Sequence, residues 1–267
     1  MLIETQTRRN WTQKELIAAF NLYCKIPFGR ISKSNPKIIK LSKLIGRTPS
    51  AVGLKLSNFA SFDPELKARG IGGMPNASKK DADIFEQFYN DREGLAFESE
   101  KILAEFEKKT VVEKLQKELP ELENFSGKEK QLYVKTRVNQ YFFRSMILAN
   151  YDGKCAITGI DIPQMIFASH IIPWSKSTVH RLNPANGICL SAHFDVAFDR
   201  GLISFNSDYK MVLSSSLIEN QTKSYFSDWF KQFEGKELNL PFKAKPGLEF
   251  LEWHRKKLFN NKNESYV

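Results

Sequence analysis

The chain has 267 residues, 42% of them hydrophobic, with a formal net charge of +10; this suits one large or two ordinary domains with real cores. No apolar run approaches the ~18 residues of a membrane span, and the opening MLIETQTRRNWTQKEL lacks the apolar stretch of a signal peptide. Cys24, Cys155 and Cys189 lie at long, uneven spacing, which excludes a disulfide framework and a four-thiolate zinc site, so a reduced, cytoplasmic protein with no membrane partner is expected.

Charge placement says more than its sum. Residues 1–60 hold eleven Lys/Arg against two acids, residues 76–125 eight against thirteen, and residues 126–150 five against one. Such segregation predicts a polyanion-binding module at 1–75, an acidic helical spacer at 76–126 and a second basic module at 127–267.

The first helix is predicted in NWTQKELIAAFNLYCKI, with Trp11, Leu16, Ala19, Phe20 and Tyr23 on one face and a stop at PFG. In PKIIKLSKLIGRTPSAVGLKLSNFASF, Pro36 opens a second helix and Gly46 closes it. Thr48 and Pro49 open a third, with Ala51, Val52, Leu54, Leu56 and Phe59 as its apolar face. Helix, short break with glycine, helix is helix-turn-helix grammar. The third helix offers free amides to a phosphate, and Arg47, Ser50, Lys55 and Asn58 are expected to face a DNA groove.

FDPELKARGIGGMPNASKKD reads as a boundary loop. Acidic, helix-favouring sequence then runs to a stop at Pro120, broken near 91–94, and is expected to be a solvated spacer. From Gly127 another helix is predicted, with Val134, Val138, Tyr141, Phe142 and Ala149 inward. Lys130, Lys135, Arg137 and Arg144 are left as candidates to meet phosphates.

CAITGIDIPQMIFASHIIPW reads as two short strands turning near 161–164, with His170 ending the second. A buried imidazole must satisfy two ring nitrogens, so a run that needed only packing would use leucine; His170 is aimed at something. A polar loop, SKSTVHRLNPANG, leads to the apolar run ICLS, where Cys189 is a core residue. Next comes a helix, AHFDVAFDRG, with Asp195 and Asp199 on one face. LISFNSDYKMVLSS is predicted to form a hairpin turning at 206–208. His180, in its polar loop, is expected to be exposed, and His254 to pack or to touch phosphate.

Strand, histidine, loop with asparagine, strand, helix with acids: over residues 128–255 this resembles the HNH endonucleases of the ββα-metal superfamily, on the words SHIIPW, NPANGICLSAHFDVAFDRGLISF and FLEWHRKKLF. It is most similar to bacterial HNH proteins built like restriction enzymes, whose amino-terminal parts carry words like WTQKEL and GRTPSAVGLKLSNFASFDP. The resemblance implies an α+β fold with a helical N-terminal DNA-binding module, a helical spacer and a C-terminal ββα-metal nuclease domain. His170 takes the place of the general base, and Ser169 that of the preceding metal ligand, a departure because a neutral hydroxyl is a weak ligand. Asn186 takes the middle position, which orients the base or meets the metal. Asp195 and Asp199 fall where metal ligands sit; His193 is a ligand or a phosphate contact, and Arg200 a phosphate contact.

A base, a hard cation such as Mg²⁺ or Mn²⁺ and two carboxylates are what phosphodiester hydrolysis asks for, and His170 and Asp195 are expected to share one pocket. No structural zinc is expected: Cys155 and Thr158 stand where many relatives have one cysteine pair, Ser191 and Phe194 where they have the other, and one thiol cannot supply four ligands. Trp174, Phe198, Ile203 and Phe205 are expected to hold the site by packing. The expected partner is double-stranded DNA, in restriction or phage defence, with a homodimer if both strands are cut. The rival expectations are a catalytically inactive HNH-fold DNA-binding protein and, more remotely, a nuclease acting on RNA.

Overall fold

A computed structural model describes residues 9–72, 77–116 and 119–259. The chain divides into two compact units, 1–142 and 143–267. The boundaries expected at 75 and 126 therefore fall inside the first unit. Among the described residues no helix is long and apolar enough to cross a membrane. Part of the boundary loop expected near residue 75 lies outside the described residues.

The first unit is helical: α1 (Gln13–Cys24), α2 (Pro36–Leu44), α3 (Pro49–Ala60), α4 (Pro64–Ala68), α5 (Lys79–Tyr89), α6 (Arg92–Phe106), α7 (Val111–Gln116) and the first part of α8 (Gly127–Asn150). Its start signals are local chemistry. Thr12 caps α1 in a capping box with Glu15, Asn35 and Thr48 cap α2 and α3 with proline following each, and Ser78 forms a second capping box with Asp81. Gly46 takes φ +65° just past α2, a conformation that penalises any side chain with a Cβ.

Helix α1 is the hub, packing on α3, α5 and α6. Leu16, Ala19, Phe20 and Tyr23 are buried as expected, and Trp11 half-buried. The acidic segment is no free spacer: Phe85 and Phe88 of α5 and Leu95, Ala96 and Ile102 of α6 are buried, and each such large apolar side chain contributes about 1.5–3 kcal/mol when withdrawn from water. Charge composition misled here because it reports the outer face of an amphipathic helix, while the apolar stripe decides where the helix goes. Tyr141 also departs from expectation; it is 43% exposed, whereas Val134, Val138, Phe142 and Ala149 are buried.

The second unit holds β1 (Ile166–His170) antiparallel to β2 (Gly187–Ser191), followed by α9 (Ala192–Asp199) packed on both strands. A second hairpin, β3 (Ile203–Phe205) with β4 (Met211–Leu213), turns through Asn206, whose Oδ1 accepts from the backbone N–H of Asp208 and Lys210. Helices α10 (Ser215–Ile218), α11 (Ser224–Trp229) and α12 (Leu248–His254) complete it.

The strand expected at 155–160 is not formed. The chain there folds into a tight turn in which the Cys155 N–H donates to the Ile160 carbonyl and Gly159 takes φ +75°. The Cys155 thiol sulfur accepts from the N–H groups of Thr158 (3.5 Å) and Ser191 (3.2 Å), tying this turn to the end of β2. Phe194 of α9 is fully buried and meets Phe230 and Phe233 edge-on.

Candidate active site

His170 is the last residue of β1 and pairs across the ladder with Gly187. A Cβ on Gly187 would lie 2.4 Å from Ile147 Cδ1 and 2.8 Å from Phe143 Cζ. Glycine therefore lets α8 approach the hairpin, and that approach brings Phe143 onto the imidazole, with ring centroids 3.7 Å apart and planes 11° from parallel. The edge contact comes from Trp174, 5.7 Å away at 84°. His170 Nε2 lies 3.0 Å from the Arg181 carbonyl oxygen. A carbonyl only accepts, so Nε2 carries the proton and Nδ1 keeps the lone pair in the neutral ring. Among the described residues Nδ1 has no hydrogen-bond partner. Burial pushes the imidazole below its ordinary 6.5, and the Arg181 guanidinium pushes the same way against the opposing effect of the carbonyl bond. The ring is half-buried, so it is neutral near pH 7 without being sealed from solvent.

Asn186 supports that arrangement from beneath. Its Oδ1 accepts from the Ile172 N–H at 2.8 Å, and its Nδ2 donates to the carbonyls of Ile172 and His180, both at 3.1 Å. The side chain is 1% exposed. With its amide committed to backbone, Asn186 fixes the loop that delivers Arg181. Arg181 itself is pinned by its Nε donating to the Trp174 carbonyl at 2.9 Å, with its guanidinium 4.9 Å from the Trp174 ring.

Ser169 and His170 are consecutive in an extended strand, so their side chains leave on opposite faces. Ser169 is buried and its hydroxyl donates to Asp195 of α9. Burial raises the Asp195 carboxyl, against the lowering effects of the Ser169 bond and the Arg144 charge. Asp199, one turn on, is pushed up to about 6 by burial and by the charge of Asp195, with Arg200 opposing. The expected single pocket for His170 and Asp195 is thus corrected to two neighbouring positions flanking the end of β1.

His193 stands apart from this acidic pair. Two residues from Asp195 on a helix, it points to a different face; its ring packs on Phe194 and, at 5.8 Å, on Trp229. Burial lowers its pKa as well. Among the described residues no three His, Cys, Asp or Glu side chains gather as a metal cluster. Two carboxylates and a hydroxyl are nevertheless an all-oxygen donor set, and a hard divalent cation is commonly held by one or two carboxylates and water. Asp195 and Asp199 fit that description; His193 does not join it.

Other expected residues are placed as follows. Lys55 and Asn58 turn inward to the buried Asp81, at 2.7 and 3.0 Å. Arg47 pairs with the buried Glu15 at 2.9 Å and lies over Trp11. Buried acids from the capping boxes hold these three side chains. Ser50 is exposed. Lys135 pairs with Glu93, Arg137 with Glu121 and Tyr133, and Arg144 donates to the Ile166 carbonyl. Arg200 is exposed at the end of α9. His180 is half-buried against Phe250 rather than exposed. His254 is fully buried, bonded to Ser204 Oγ and the Phe198 carbonyl and stacked on Phe198. Cys189 is core, its thiol pushed up to about 12 by burial. Phe143 and the Arg181 carbonyl were invisible as site groups in the sequence, since neither belongs to a spacing pattern.

Residues 155–206 match the family model described as HNH endonuclease. This HNH segment contains the turn at Cys155, both strands, Asn186 and all of α9, and it supports nuclease activity at the level of that family. The first unit lies outside the matched residues. No curated protein matches the chain.

Proposed function

We propose that this chain is a metal-dependent endonuclease that hydrolyses phosphodiester bonds in double-stranded DNA, acting in the cytoplasm in restriction or phage defence. The observation that carries the reading is the neutral imidazole of His170, fixed by the Arg181 carbonyl at the end of β1, one residue from the Ser169–Asp195 pair. Nδ1 of His170 takes a proton from the attacking water. Asn186 holds the loop so that the imidazole does not swing away, and Trp174 and Phe143 keep it partly desolvated. Asp195 and Asp199 would hold Mg²⁺ or Mn²⁺, which supplies stabilisation of charge on the phosphorane and on the departing oxygen. Ser169 keeps Asp195 oriented by its hydrogen bond. A homodimer accounts for double-strand cutting; a nickase needs none.

The test is nicking of supercoiled plasmid with Mg²⁺ or Mn²⁺ by the wild type and by His170→Ala, with DNA affinity measured alongside. Loss of nicking with affinity kept supports the reading; equal loss of both makes His170 structural. A second reading, an HNH-fold DNA-binding protein without catalysis, is favoured by one observation: Ser169 spends its hydroxyl on Asp195 where relatives present a ligand. Absence of nicking by the wild type under all metal conditions selects that reading.

A further inference from the structure

The first unit contains a cleft of about 900 Å³. Two helix N-termini open onto it, the start of α3 at Thr48 and the start of α5 at Ser78, with Asn10 and Trp11 of the segment ahead of α1 beside them. These helices have 12 and 11 residues, long enough for each to present roughly half a positive charge at its N-terminus. Arg9, Arg47, Lys55, Lys79 and Lys80 line the same cleft.

The chain's own acids offset only part of this charge, two carboxylates against five cations. Glu15 is shared by Arg9 and Arg47, and Asp81 is taken by Lys55. Both acids are buried and serve the capping boxes of α1 and α5. Lys79 and Lys80 are exposed in the first turn of α5, where the helix dipole repels cations, and among the described residues no acid pairs with them. The Nε–H of Arg47 is buried without an acceptor, on a side chain only 9% exposed. A pair of lysines at a helix start with no acid partner is an unfavourable arrangement that an anion relieves.

We propose that this cleft binds phosphate groups, those of the DNA backbone, through Lys79, Lys80, Arg9 and the converging helix starts. The identification of the phosphate as DNA's rests on the nuclease reading; the anion chemistry does not. DNA then meets the first unit through the cleft rather than through an exposed face of α3.

The test is fluorescence anisotropy of the full chain with a labelled duplex, in EDTA so that no cleavage occurs. The variant is Lys79→Glu with Lys80→Glu; negative charge in that first turn agrees with the helix dipole, so α5 stays folded. The control is Lys108→Glu with Lys109→Glu, which changes net charge equally outside the cleft. The expected result is affinity at least about 10-fold weaker for the cleft variant, with a salt slope shallower by about 2, and little change for the control. Equal weakening by both overturns the proposal, because total charge alone then explains it. Displacement of duplex by millimolar ATP or inorganic phosphate, lost in the cleft variant, reassigns the phosphate to a free small molecule and overturns the backbone assignment. Nicking is read in parallel: a cleft variant that binds and nicks like wild type overturns the cleft and leaves the nuclease reading. A wild type that never nicks, with the binding difference intact, overturns the nuclease and supports the cleft as a phosphate site.

Discussion

The imidazole of His170 lies flat against the ring of Phe143, centroids 3.7 Å apart, while its Nε2–H is held by the Arg181 carbonyl. One face of the ring is thereby dry and one nitrogen is committed. Replacing Phe143 by alanine lets water reach the imidazole, so its pKa should rise toward the ordinary 6.5. The base then protonates at higher pH, and the acid limb of the cleavage profile moves up. NMR titration of the His170 ring in Phe143→Ala checks this; an unchanged pKa removes Phe143 from the mechanism.

The same depressed pKa sets a direction for stability. The unfolded chain takes up a proton on His170 more readily than the folded one, so the contribution of this group is complete above about pH 6.5 and is lost as pH falls through the folded value. In His170→Gln the loss of stability below pH 6.5 should be shallower than in wild type. Thermal midpoints measured from pH 7.5 to 5 read the difference, and parallel curves would contradict it.

Asp199 runs the other way. Its carboxyl, raised to about 6, prefers the protonated form when folded, so stability falls as pH rises from 3.8 through 6. Asp199→Asn should therefore raise the melting temperature at pH 7.5 and leave it nearly unchanged at pH 3.5. The same variant should weaken Mn²⁺ binding, and wild-type binding should fade as pH drops below 6. Calorimetric titration of Mn²⁺ at pH 5 and 7.5 checks both statements.

Asn186→Ala strips the partners from the Ile172 N–H and from two carbonyls. Buried backbone groups left unpaired should lower stability by about 2–4 kcal/mol. Because the loop also carries Arg181, cleavage per folded molecule should fall further than the folded fraction does. Urea unfolding with activity normalised to folded protein separates the two; a fall in stability alone would make Asn186 a purely structural brace.

How much of this was legible beforehand depends on whether a neighbour in sequence or a neighbour in space decides. The caps at Thr48 and the break at Gly46 were readable because a helix end is a local event. The end of β1 at His170 and the shared face of Asp195 and Asp199 on α9 were readable because strand and helix periods are local; Asn186 came only from the family resemblance. The turn at 155–160 was misread: apolar alternation there looks like a strand, but Gly159 and the thiol hydrogen bonds at Cys155 close it into a turn. The inward turn of Lys55 and Asn58 depends on Asp81, more than twenty residues away, and no local pattern announces that pairing. Phe143 reached the site only because Gly187 admits α8, a tertiary fact.

The most direct measurement is single-turnover cleavage of an end-labelled duplex by the wild type and by His170→Ala, with Mn²⁺ present and imidazole added to the buffer. The account predicts a rate lower by on the order of 10²–10⁴ in the variant, partly restored by imidazole, with duplex affinity preserved. Equal rates in the two proteins would contradict it.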